Sequence, residues 1–218
     1  MGSSNYFYYM TQEEYIKQYN EDDAPGWLAI DEALKALYPD QEPKHYASAI
    51  KYMMGGPDPL DGASIYDSHK QTFHRHVVSY GMSELYYSPE KAGGDFNGWG
   101  FEFTFRLKSK EGDEDPVWVV SLMNSLARYV FESGNWFDSY HYVPANGPIR
   151  LGYSTEMVGI VFIIDPELGT IATPHGELTF LQMVGVTAAQ LERLTKSGEA
   201  EKLIEEMRVN NPLLITEL

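Results

Sequence analysis

The chain has 218 residues, 43% hydrophobic and 14% aromatic, with 32 acidic against 16 basic residues and a formal net charge of −16. This is ample material for one core and argues against disorder, and the negative charge disfavours nucleic acid as a partner and favours a cationic one. There is no cysteine, which excludes disulfides, thiolate nucleophiles and cysteine-ligated zinc; no apolar run approaches the ~20 residues that cross a bilayer and no signal-peptide pattern opens the chain, so a cytoplasmic protein without membrane contact is expected.

In chain order, Thr11 and Glu14 have the spacing of a capping box, with Tyr15, Ile16 and Tyr19 following at helical intervals. Asp22 and Asp23 before Pro25 suit a second helix start, and Trp27, Ile30, Leu34 and Leu37 recur at spacings of three and four up to Pro39. Residues 46–54 fit a strand or a helix. Gly55, Gly56, Pro57 and Pro59 then specify a tight turn, with Asp58 and Asp61 placed to bond its amides. A strand is expected over 77–85 and a turn-rich loop over 86–100. Phe101, Phe103, Phe105 and Leu107 alternate with Glu102, Thr104, Arg106 and Lys108, the period of a strand buried on one face. This alternation places Glu102 in solvent or against Arg106 or Arg128.

After a polar loop over 109–115, Trp118, Leu122, Leu126, Tyr129 and Val130 line one face of a helix that ends at Ser133-Gly134. Residues 157–164 are an unbroken apolar strand, Pro174-His175-Gly176 is a turn, and 178–186 returns as a strand. Thr187 and Gln190 form a second capping box, opening a C-terminal helical region that runs through Lys202, Ile204 and Met207. The fold class is α+β: a single domain with a mainly antiparallel mixed sheet flanked by helices.

Catalytic spacings are missing. His74 and His76 could share a strand face, but no third metal ligand is near and no HExxH pattern occurs; His45, His69, His141 and His175 sit in probable turn sequences. No metal or cofactor is expected. Ser79, Ser83, His76 and Glu84 are close only in sequence, which does not make a triad. The glycine-rich loops lack the features of a phosphate-binding loop. A binding surface is the better candidate, because Tyr129, Trp136, Phe137, Tyr140, His141 and Tyr142 concentrate amphipathic aromatics after the third helix. Core packing is an equal alternative for Trp136 and Phe137.

LYPDQ from Leu37, GGPDPLD from Gly55, SYGMSELY from Ser79, GWGFEFTFRLK from Gly98, LARYVF from Leu126 and TPHGELTFLQMVGVT from Thr173 stand in one order along the chain. In that order they resemble the N-terminal domain of the Suppressor of fused family, over residues 25–218, leaving 1–24 as an N-terminal extension with a short helix. The resemblance favours a strand over 46–54. It implies a non-enzymatic binding protein that grips a peptide as an added strand, with Tyr129 and the segment after Asn135 as contacts. The acidic residue that precedes the family's histidine is replaced by Tyr140 before His141, and the family's second domain lies outside this chain. A stand-alone domain of this kind is similar to short bacterial members, for which an immunity role against a toxin is inferred; the acidity suits a basic toxin. Two competing readings are an enzyme using His74, His76, Glu84 and Glu102 in a cleft, and an acidic decoy for a basic protein.

Overall fold

The computed structural model describes residues 10–50 and 52–218; residues 1–9, part of the expected extension, lie outside it. The capping box at Thr11 opens α1 (Gln12–Gln18), with both reciprocal bonds made, and Tyr15 is its buried residue. Helix α2 (Pro25–Leu37) starts at the proline, but its N-cap is Ala24 without a side-chain bond. Asp23 instead accepts from the amide and side chain of Asn20. The N-terminal amides of Gly26 and Trp27 both donate to the Leu85 carbonyl, so the loop after the third strand caps this helix. Gly26 is obligatory at that contact, since a Cβ there would lie 1.9 Å from the Glu84 carbonyl oxygen.

The strands are β1 (Lys44–Ala47), β2 (Gly62–Ser68), β3 (His74–Tyr80), β4 (Phe96–Lys108), β5 (Tyr142–Pro144), β6 (Met157–Ile164), β7 (Thr170–Thr173) and β8 (Gly176–Thr187). They form one sheet in the order β1-β2-β3-β4-β8-β6-β5, with β7 paired to β8. Among the described residues, the β4–β8 ladder is parallel and the other ladders between these strands are antiparallel. The expected mainly antiparallel mixed sheet is therefore the one observed. Three boundaries differ from the sequence reading. The strand at 46–54 is instead β1, followed by a 3-10 turn at Tyr52–Met54. Strand β3 stops at Tyr80, where Gly81 takes a φ of 128°. Strand β4 begins five residues early, because its pairing to β8, irregular between Phe96 and Phe101 where the glycine-rich stretch bulges, resumes at Phe96.

Helix α3 (Val117–Ser133) covers one face of the sheet and ends on Gly134 in the left-handed conformation. Its buried stripe is Val119, Met123, Ala127 and Val130, packed with Phe101, Phe103, Phe105, Phe162 and Met183. That stripe is rotated from the expected face: Trp118, Leu122 and Leu126 are half-buried flanks and Tyr129 is exposed. The opposite face is covered by α2 at one end, around Tyr38, Tyr66, Val78, Tyr80 and Phe180, and by α4 (Ala188–Ser197) and α5 (Ala200–Arg208) at the other, around Val161, Ile163, Val184 and Val186. The second capping box, Thr187 with Gln190, opens α4 as expected.

With helices on both faces, residues 101–107 of β4 are all buried. The alternation of polar and apolar residues thus marks two different interiors, an apolar one beneath α3 and a polar one opposite. Glu102, expected in solvent or beside Arg106 or Arg128, has no exposed surface and bonds neither. Arg106 is committed to Asp165 and Glu167, and Arg128 pairs with Asp58.

Candidate functional site

The polar interior holds the residues with the most reactive chemistry. His76 sits between the Tyr38 hydroxyl, 2.8 Å from Nδ1, and Asp165, 3.1 Å from Nε2. Asp165 also accepts from Arg106 at 2.9 and 3.1 Å and from the Thr104 hydroxyl at 3.0 Å. Arg106 donates to Glu167 at 2.7 Å and lies 3.1 Å from His74 Nε2, whose Nδ1 bonds the Thr72 carbonyl. Burial acting alone would raise the Asp165 carboxyl, but His76 and Arg106 on its two sides hold it well below the carboxylate range. Burial also pushes His74 down to about 4 and lowers His76.

Glu102 forms a separate network two strand positions from Thr104. Its carboxylate accepts from the Ser79 hydroxyl at 2.5 Å, the Gly81 amide at 2.9 Å, and the Ser83 amide and hydroxyl at 3.0 and 2.6 Å. Burial raises its pKa against the pull of these four donors. Glu84, the remaining member of the suspected cleft, is at the surface with Lys91. His74, His76 and Glu102 therefore belong to two structural networks with no exposed surface of their own. Among the described residues no three histidine or carboxylate groups are placed as a metal ion would need.

The aromatic residues after α3 are arranged differently. Tyr129, 48% exposed, stacks on Phe137 with centroids 5.7 Å apart, and Phe137, only 6% exposed, stacks on Phe162 at 4.4 Å. Phe137 is thus a core residue supporting a surface ring, while Trp136 beside it is 61% exposed. The chain then passes to the other side of the sheet edge. Tyr140 adopts a φ of 68°, rare for a residue with a Cβ, and its amide donates to the Phe162 carbonyl at 2.7 Å. Tyr140 and Tyr142 pack on the α4–α5 side, where the Tyr142 hydroxyl donates to the Leu194 carbonyl. His141 is exposed, with Nδ1 accepting the Asp138 amide at 3.2 Å.

The six residues singled out in the sequence therefore do not make one patch. Tyr129 and Phe137 stand on the α3 side with Trp136 exposed next to Phe137 in the chain, Tyr140 and Tyr142 lie on the other side, and His141 is on the loop between. What they bracket is β5, the last strand of the sheet, paired among the described residues to β6 alone. An unpaired strand edge flanked by exposed aromatics can accept a further strand, with affinity from the backbone and selection from the side chains. Sequence reasoning missed Asp165, although a lone carboxylate closing an all-apolar strand and preceding a proline is a signal of a buried charge awaiting a partner.

Comparison with known proteins agrees with this architecture. A family model described as Suppressor of fused protein (SUFU) matches residues 56–218. The Suppressor of fused homologues of Homo sapiens and Mus musculus are each 37% identical over 208 residues, covering 88% of this chain and 43% of theirs, so the chain spans less than half the length of these relatives. Among solved structures, a chain of the Sufu–Fu complex is 29% identical with a TM-score of 0.80, covering 89% of this chain and 90% of that one. Drosophila Suppressor of Fused is 28% identical with a TM-score of 0.79, covering 91% of this chain and 51% of that one. The SUFU homologue from Neisseria gonorrhoeae shares the fold alone, at 10% identity and a TM-score of 0.57 over 84% of this chain and 88% of that one. With the family model matching residues 56–218 and the animal relatives 37% identical over 88% of the chain, the chain belongs to the Suppressor of fused family.

Proposed function

We propose that the chain is a cytoplasmic, non-enzymatic protein-binding module that holds a peptide segment of its partner along β5. The observation that carries this reading is the open β5 edge bracketed by the exposed rings of Tyr129 and Trp136. Phe137 is the buried base of that surface, and Tyr140, His141 and Tyr142 form its far rim. Pro144 has no N–H, so an added strand would take its backbone bonds around Tyr142. A similar chain occurs in a complex of Sufu with Fu, which supports a protein as the ligand.

The finer role we assign is sequestration or neutralisation of a basic protein, with immunity against a toxin as its concrete form. The net charge of −16 supports a cationic partner. The test is affinity capture from native lysate with the wild-type chain beside a Tyr129→Ala, Trp136→Ala variant of matched thermal stability. A basic protein retained by the wild type and lost by the variant is the expected result. Equal retention would move the surface elsewhere, and repeated recovery of no specific protein would defeat the reading.

A further inference from the structure

A second concavity lies on the other side of the α3 C-terminus, where the GGPDPLD turn, the SYGMSELY segment and the glycine-rich start of β4 converge. Its volume is about 610 Å³, within the range of ligand sites. One wall is aromatic: Phe131 of α3 meets Tyr52 edge-on at 5.4 Å and Trp99 at 5.6 Å. Phe96, 66% exposed, stands at the rim. The lining also includes Asp61, Glu84 and Lys91. Asp61 accepts from the Tyr86 hydroxyl, and Glu84 is held by Lys91, a half-exposed side chain that can swing aside.

The floor of this cavity decides what it can bind. The amides of Gly81 and Ser83 and the Ser83 hydroxyl all point inward to the buried Glu102, and the Glu84 amide donates to Asn97. The donors of this turn are consumed by the fold, which argues against an anionic ligand. What the cavity offers is aromatic faces and two carboxylates. That combination fits a cation on an apolar stem, and a planar guanidinium best, since it stacks on an indole and forks to carboxylates.

We propose that this cavity is a second recognition site that takes an arginine side chain of a protein partner. The site is distinct from the β5 edge, because Tyr129 turns to Phe137 on one side of α3 while Phe131 turns to Tyr52 and Trp99 on the other. Glu102 acts here as a positioning residue, fixing the floor from beneath.

The test uses the full chain with its tryptophan indoles ¹⁵N-labelled, titrated with the capped peptide Ala-Ala-Arg-Leu-Ala-Ala and its counterpart with citrulline in place of arginine. The Trp99 indole signal is expected to move saturably with the arginine peptide, and citrulline, which keeps the shape and loses the charge, to weaken binding at least about tenfold. An Asp61→Asn, Glu84→Gln variant keeps the hydrogen-bonding shape and should lose the same factor while its own Trp99 signal stays near the wild-type position. Equal binding of both peptides, a shift confined to Trp136, or a still Trp99 signal at saturating peptide would each overturn the proposal.

Discussion

The polar interior around β4 and the aromatic end of α3 divide the molecule's chemistry in an unexpected way. The first gathers histidines, carboxylates, an arginine and serine hydroxyls, the usual catalytic vocabulary, yet its groups face one another without exposed surface. The second holds mostly rings, and they are the groups open to a partner. Reactive residue types in the sheet serve the fold because they are buried and engaged with one another, whereas Tyr129 on α3 and Trp136 after it keep exposed faces. Within the interior, two equally buried carboxylates diverge for the same reason. Asp165 has a cation and an imidazole beside it and is depressed, whereas Glu102 has only neutral donors and is raised.

The contrast breaks most severely at Arg106. Replacing it in Arg106→Leu leaves Asp165 buried without its cation and strips Glu167 of one of its two, Lys70 remaining, and the expected loss is about 3–5 kcal/mol in urea denaturation. A loss below about 1 kcal/mol would mean that the network is hydrated and not a structural core. Next comes Glu102. The Glu102→Ala variant orphans the Ser79 and Ser83 hydroxyls and two amides, at about 2–3 kcal/mol, whereas Glu102→Gln keeps an acceptor toward Gly81 and Ser83 and should cost about 1 kcal/mol.

The pH dependence sharpens the difference between the two carboxylates. Glu102 titrates higher in the fold than in the unfolded chain, so the unfolded chain ionises first, and stability falls as pH rises from about 4.3 through the folded value. Glu102→Gln removes that slope, so its deficit relative to wild type should shrink between pH 4 and pH 8. Burial lowers His74, His76 and His175 in the fold, so the unfolded chain takes up protons first as pH falls below about 6.5. In the Glu102→Gln background, which removes the opposing slope of Glu102, melting temperature should therefore drop from pH 6.5 toward pH 4, with the depressed Asp165 adding to the loss only below about 3.9, its ordinary value. A flat melting profile of that variant between pH 6.5 and 4.5 would contradict the neutral, buried state of these imidazoles.

How much of this was legible follows from the range of each interaction. Both capping boxes, the left-handed cap at Gly134 and the apolar strand β6 are written in residues a few positions apart, and the structure places them where the sequence does. The partners of Glu102 lie 19 to 23 positions away, and Arg106 meets Asp165 across 59. Alternation in β4 correctly separated two faces, but it cannot reveal that a second layer of helices covers the polar one. The same limit rotated the buried stripe of α3 by one position. At the candidate surface, residue type located the region, while the division of its rings between the two sides of β5 depended on the course of the chain around the sheet edge.

The smallest stability effect belongs to the other side of the comparison. Trp136 is largely exposed, and Tyr129 rests on Phe137 with half its surface free. The Tyr129→Ala, Trp136→Ala variant should stay within about 1 kcal/mol of wild type, since only one ring stack is lost and no polar group is stranded. Phe137→Ala, by contrast, opens a cavity against Phe103 and Phe162 and should cost about 3–5 kcal/mol. Adjacent aromatics would then differ severalfold in their worth to the fold. If the exposed pair proved as costly as Phe137, the α3 end would be core and not surface, and the partner would have to be sought at the Trp99 cavity instead.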